Sequence, residues 1–150
     1  MSRILDALSH WALAAPGRLS MQDDRASLIY AAVALELGRL SALLTQQDIK
    51  VAALLADNSC AWALWDLAAM QAKITLVPLP GFFSDAQLGH ILQDACVDTI
   101  ISDQPDRLSS LMPEGNSPNN TLELIVAERE FQLHRITPAG SSRLPADTAK

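Results

Sequence analysis

The side chains with the means to do chemistry are the pair Asp23-Asp24, the histidines His10, His90 and His134, and the thiols Cys60 and Cys96. Two neighbouring carboxylates can share general acid and base work when a pocket separates their protonation. Asp23-Asp24 sits instead in the polar run 22–25, where Asp is favoured because it bonds turn backbone, so a structural role is expected. The three histidines lie far apart and no cysteine stands at metal-ligand spacing from any of them, which makes them surface or packing residues. Cys60 and Cys96 form no Cys-x-x-Cys and read as two buried free thiols in a reducing, cytoplasmic setting. Asp57-Asn58-Ser59 ends an apolar run, where open α/β sheets place ligands, and would serve equally as a helix cap. No Gly-x-Ser-x-Gly elbow, Gly-rich phosphate loop or His-Glu-x-x-His helix occurs, so no catalytic residue and no metal ligand is assigned.

The elements that must position these groups have a regular beat. Residues 51–56, 74–79 and 97–102 are apolar runs that begin 23 residues apart, with helical segments between them. Strands of that kind are covered on both faces and belong to a parallel sheet built from βαβ units. Residues 60–72 are apolar nearly all round and predict a buried helix capped by Asn58 or Ser59. Ser84 with Gln87 makes a capping box ahead of the stripe Leu88, Ile91, Leu92 and Ala95.

Before this core, Ile4, Leu8, Trp11 and Ala15 fall at helical spacing, and residues 19–21 and 27–30 read as a small hairpin. Val33, Leu37, Leu40 and Leu44 put one face of a helix toward the interior, with Glu36 and Arg39 toward water. After it come a short helix over 106–112, a turn-rich loop over 113–121, a fourth strand over 122–127 and a further strand over 131–136. The expected architecture is α/β and three-layer, a mostly parallel sheet flanked by helices, with a small N-terminal hairpin. Residues 1–136 form the α/β subdomain and 137–150 a linker or tail.

Composition excludes several partners. Of the 150 residues, 49% are hydrophobic and 19% charged, enough to hide roughly 70% of the unfolded surface around one core. A net charge of −6 with 11 scattered basic residues leaves no footprint for nucleic acid or anionic lipid. Asp6 and His10 interrupt the first apolar stretch, which favours an amphipathic helix over an export signal, and no run approaches the roughly 20 apolar residues of a membrane span.

The ordered set of segments resembles the start of the adenylate-forming superfamily of acyl-CoA synthetases, aryl-CoA ligases, luciferases and peptide-synthetase adenylation domains. Residues 8–18, with Trp11, Pro16 and Arg18, are similar to the family's opening helix and Pro-x-Arg turn. Leu28-Ile29-Tyr30 resembles its hydrophobic-Thr-Tyr segment, with Ile29 in place of Thr. Residues 50–59 and 62–72 look like its strand, Asn-Ser turn and following helix. Leu76-Val77-Pro78-Leu79, Phe83-Ser84-x-x-Gln87-Leu88 and residues 98–103 complete a match over residues 5–110. Lys73 departs from it, standing where relatives have a helix-ending Gly, which puts the local turn in question.

The resemblance implies a parent ligase that joins a carboxylic acid to CoA through an acyl-adenylate, in a setting such as fatty acid metabolism, using ATP, Mg2+ and CoA. This chain reads as its N-terminal fragment, inactive alone and binding none of these cofactors by itself. The family's phosphate-binding loop, Thr-Glu motif, ribose-binding Asp and C-terminal domain with its catalytic Lys have no counterpart here, so the implied partner is the remainder of the parent enzyme. Exposed apolar surface then predicts self-association. Inside the chain, Gly81-Phe82-Phe83-Ser84 resembles a Gly-Gly-Phe-Ser turn with Phe82 in place of the second Gly, and Arg107 falls where relatives hold an Arg near the CoA phosphates. The resemblance thus implies Gly81, Phe82 and Arg107 as CoA-binding; a solvated Arg107 and two packing Phe are the other reading. A standalone, noncatalytic α/β module that binds a nucleotide or protein is the alternative for the whole chain.

Overall fold

The computed structural model describes residues 2–111 and 121–136. Those residues divide into two compact units, one of residues 2–49, 57–75 and 125–130, the other of residues 50–56, 76–111, 121–124 and 131–136.

The first unit is mostly helical. Helix α1 (Arg3–Ala14) starts at Ser2, whose hydroxyl accepts the Leu5 amide. It buries no residue fully; Leu5, Leu8, Ala12 and Ala15 form its half-buried stripe, one step round from the expected Ile4 and Trp11. Strands β1 (Leu19–Gln22) and β2 (Ser27–Ile29) pair antiparallel as the expected small hairpin. Helix α2 (Tyr30–Gln46) buries Val33, Leu37, Leu40 and Leu44, the face read from their spacing, and packs against α1 and α3 (Cys60–Ala72). Ser59 is the cap of α3, accepting the Trp62 amide at 3.1 Å. Lys73 ends α3 in the left-handed region, φ 60°, so the turn that relatives make with Gly forms here with a side chain present.

The second unit holds most of a five-stranded sheet in the order β4-β3-β5-β7-β6. The strands are β3 (Val51–Leu55), β4 (Thr75–Pro78), β5 (Thr99–Ser102), β6 (Thr121–Val126) and β7 (Arg129–Arg135). Strand β3 runs parallel to β5 with Ala53 opposite Ile100, as their continuous apolar sequences require, and consecutive residues of both strands are buried. The sheet is mixed, because β7 lies antiparallel to β5. The two-residue connection Ala127-Glu128, both at positive φ, folds β6 and β7 into a type I′ hairpin, and a hairpin can only be antiparallel.

Helices α4 (Asp85–Asp94) and α5 (Pro105–Leu111) pack on one side of the sheet. Leu88, Leu92, Leu108 and Leu111 meet Ala53, Leu55, Leu79, Val97, Ile100 and Ile136 in one apolar cluster. A fully buried Leu of this kind contributes roughly 1.5–3 kcal/mol. The expected short helix ends at Leu111; Met112, most of the expected loop and the expected tail lie outside the described residues.

One expectation is corrected. Cys60 is buried, but Cys96 is exposed. Cys96 follows the last residues of α4 at φ 55°, where the chain turns out of the helix before Val97 enters the core.

Candidate functional site

Strand β4 delivers the chain to its end at Pro78, and Leu79 still donates its amide to the Leu54 carbonyl at 2.9 Å. Pro80 then opens a tight turn, closed by the Phe83 amide on the Pro80 carbonyl at 3.1 Å. Ser84 follows as the cap of α4: its hydroxyl accepts the Gln87 amide at 3.1 Å, and the Gln87 side chain accepts the Ser84 amide at 2.8 Å. This capping box fixes where the turn stops and the helix starts.

Arg107, on α5, reaches across to this turn. Its Nε donates to Asp85 Oδ1 at 2.7 Å, Nη1 donates to the Gly81 carbonyl at 2.9 Å, and Nη2 donates to the Phe83 carbonyl. One planar guanidinium therefore holds both carbonyls flanking Phe82 and the first residue of α4. The structure brings together Gly81, Phe82 and Arg107, the three residues singled out in the sequence. Phe82 is 87% exposed at the tip, edge-on to Phe83 with ring centroids 5.0 Å apart, while Phe83 packs on the apolar cluster. A Cβ built on Gly81 would meet nothing within 4 Å, so one flank of the turn's backbone is open to approach.

Asp85 was not singled out in the sequence. The signal available was its place directly after the Ser84 cap, but its partner stands 22 residues away and spacing alone does not join them. The Arg107 guanidinium, helped by the Ser110 hydroxyl, holds the Asp85 carboxyl below its usual range.

The other candidates resolve into structural roles. Asp23 Oδ1 accepts the amides of Arg25 and Ala26, each at 2.8 Å, closing the β1–β2 turn. Its Oδ2 accepts the Cys60 amide at 2.8 Å at the start of α3. Arg129, nine-tenths buried, lies 2.7 Å from Asp24 and 3.7 Å from Asp23. The backbone donors, Cys60 first, hold the Asp23 pKa at about 2. Burial pushes the Cys60 thiol up, away from reactivity. His134 is buried, with Nδ1 2.7 Å from Thr121 Oγ1, and desolvation lowers its pKa, favouring the neutral ring. His90 pairs with Asp94 on the surface of α4, and His10 meets Trp11 edge-on. Asp57-Asn58-Ser59 supplies the cap of α3 through Ser59. Among the described residues no three His, Cys, Asp or Glu side chains gather to hold a metal ion, and no helix is long and apolar enough to cross a membrane.

A family model described as AMP-binding enzyme matches residues 8–147. Among solved structures, the inhibitor-bound N-terminal domain of FACL13 from Mycobacterium tuberculosis is similar, with a TM-score of 0.69 and 20% identity over 79% of this chain and 32% of that one. A fatty acyl CoA synthetase of Mycobacterium tuberculosis gives a TM-score of 0.66 at 19% identity, over 74% of this chain and 24% of that one. The o-succinylbenzoate CoA synthetase of Bacillus subtilis, in complex with its acyl-adenylate intermediate, gives 0.60 at 16% identity, over 70% and 29%. These likenesses establish the fold, and the chain spans a third or less of the length of each of these proteins. No curated protein matches in sequence. One family model covers all but the two ends of the chain, and the protein belongs to the AMP-binding enzyme family.

Proposed function

We propose that this chain forms the N-terminal α/β part of an ATP-dependent acid–thiol ligase. The parent enzyme joins a carboxylic acid to ATP, giving acyl-adenylate and pyrophosphate, and then passes the acyl group to the CoA thiol with release of AMP. The observation that carries this reading is the family match across residues 8–147, supported by the fold shared with two CoA synthetases. A cytoplasmic setting agrees with the free thiols of Cys60 and Cys96. Fatty acid metabolism is the setting suggested by the fatty acyl CoA synthetase among the similar structures.

Within that reading ATP and Mg2+ are held by the rest of the parent, since the sequence given has no Gly-rich loop to cradle phosphates. Adenylation needs groups that neutralise charge on the transferring phosphorus, and those belong to the rest of the parent. The part assigned to this chain is a CoA-facing turn. Gly81 leaves backbone open to approach, Phe82 offers an exposed apolar face, and Arg107 brings a guanidinium charge to the turn for a phosphate oxygen.

The test is the reading frame beyond Lys150 and the polypeptide it encodes. The expected result is an in-frame Thr/Ser/Gly-rich loop, and carboxylate-dependent exchange of labelled pyrophosphate into ATP by the longer polypeptide but not by the 150-residue chain. A stop codon directly after Lys150 would leave only the noncatalytic module. Exchange catalysed by the 150-residue chain alone would overturn the division of labour.

A further inference from the structure

Arg107 carries a partner for which a CoA-facing turn has no evident need. Asp85 is the first residue of α4, and the reciprocal bonds of Ser84 and Gln87 hold the helix start without help from its side chain. Its carboxylate nonetheless turns to α5 and accepts the Arg107 Nε–H at 2.7 Å. The Asp85 side chain is 48% exposed and the Arg107 side chain 23% exposed, so both are within reach of a solute. The two bonds to the Gly81 and Phe83 carbonyls anchor the guanidinium by its terminal nitrogens. Asp85 adds negative charge directly against the cation.

We infer that Asp85 is an internal stand-in for an anionic ligand group at Arg107. It keeps the fork oriented while the site is empty and competes with an arriving phosphate for the same cation. This rests on the reading of the turn as CoA-facing. A carboxylate carries one charge and is half solvated here, whereas a phosphate monoester carries up to two and offers three acceptor oxygens. The exchange therefore favours a polyanion and disfavours a singly charged competitor, which makes Asp85 a positioning residue that sets both affinity and selectivity. Direct like-charge juxtaposition between Asp85 and the ligand adds to the cost of binding.

The test is equilibrium titration of the whole 150-residue chain with CoA and, separately, with inorganic pyrophosphate. Four proteins are compared: wild type, Asp85→Asn, Arg107→Gln and the double variant. Asp85→Asn should bind both probes on the order of fivefold more tightly than wild type, and the gain should vanish in the double variant. Asp85→Glu, which restores the carboxylate, should return affinity to near the wild-type value. Thermal melts of Asp85→Asn should match wild type closely, since the capping box is untouched. Affinity of Asp85→Asn for CoA no higher than wild type, with wild type binding CoA, would overturn the role of Asp85 and leave the CoA reading standing. A gain that survives without Arg107 is a general charge effect and also overturns it. Pyrophosphate bound more tightly by Asp85→Asn through Arg107, with CoA bound by no variant, would uphold the anion exchange and remove CoA as the ligand. If neither probe binds any of the proteins, both readings fall.

Discussion

Asp23 uses both carboxylate oxygens on backbone amides, two in its own turn and one at the start of α3. Arg129 stands beside it and closer still to Asp24. An ionised carboxylate that accepts three amide bonds is stabilised in its charged form, and its pKa falls from 3.8 to about 2. Because the folded value is the lower one, the unfolded chain takes up this proton first on acidification. The stabilisation is complete well above pH 3.8 and is lost as pH falls through the interval down to about 2. Thermal melts of the wild type between pH 5 and pH 2 should show that loss, and Asp23→Asn should be less stable at pH 5 but flatter across the same interval. Equal slopes for the two proteins would show that Asp23 is not responsible. The pair Asp23-Asp24 was legible in the sequence as a turn feature, because local side-chain to backbone bonding is what Asp does in a polar run. Its cation was not legible, since Arg129 lies 105 residues from Asp24 and only the tertiary fold joins them.

The β6–β7 hairpin turns through Ala127 at φ 48° and Glu128 at φ 67°, a conformation for which Gly or Asn is favoured. Side-chain bonds of Thr121 with His134 and of Gln132 with Glu123 join the two strands behind the turn, while Arg39 donates to the Ile125 carbonyl at 2.8 Å beside it. The surroundings thus impose the turn on residues that resist it. Replacing Glu128 by Gly removes the left-handed strain and gives back part of the gain as chain entropy, leaving a net stabilisation of about 0.5–1 kcal/mol. Urea unfolding midpoints of Glu128→Gly and wild type measure this, and an unchanged or lower midpoint would count against it. The same turn shows why the sequence yielded the last two strands with less definition than the first three. Apolar runs such as Val51–Leu55 and Thr99–Ser102 announce buried strands by composition, and the Ser84/Gln87 box announces a helix start by residue type. Ala127-Glu128 carries no turn signal, so the hairpin that makes the sheet mixed was not legible. The candidate site was half legible: Gly81, Phe82 and Arg107 were named, whereas their joining through Asp85 depended on α4 and α5 lying side by side.

At the scale of the whole chain, two opposing surface properties decide its behaviour in solution. Leu13 at 87% exposure, Leu35 at 76% and Ile125 at 62% are large apolar side chains facing water in the first unit, joined there by Leu19, Ile4 and Ile29. Apolar side chains exposed in this way drive association where they lie close together. Against it stands a net charge of −6, which makes copies of the chain repel one another. Repulsion between exposed charges is screened beyond about 10 Å at 0.1 M salt and about 3 Å at 1 M, whereas apolar attraction is not weakened by salt. Association should therefore be slight in dilute buffer and grow with both protein concentration and sodium chloride. Size-exclusion chromatography with light scattering across a concentration series at low and high salt reads both dependences. A monomer throughout would show that the apolar side chains are too dispersed to act together. Association that falls as salt rises would show instead that ion pairs between copies, not the leucines and isoleucines, hold the complex.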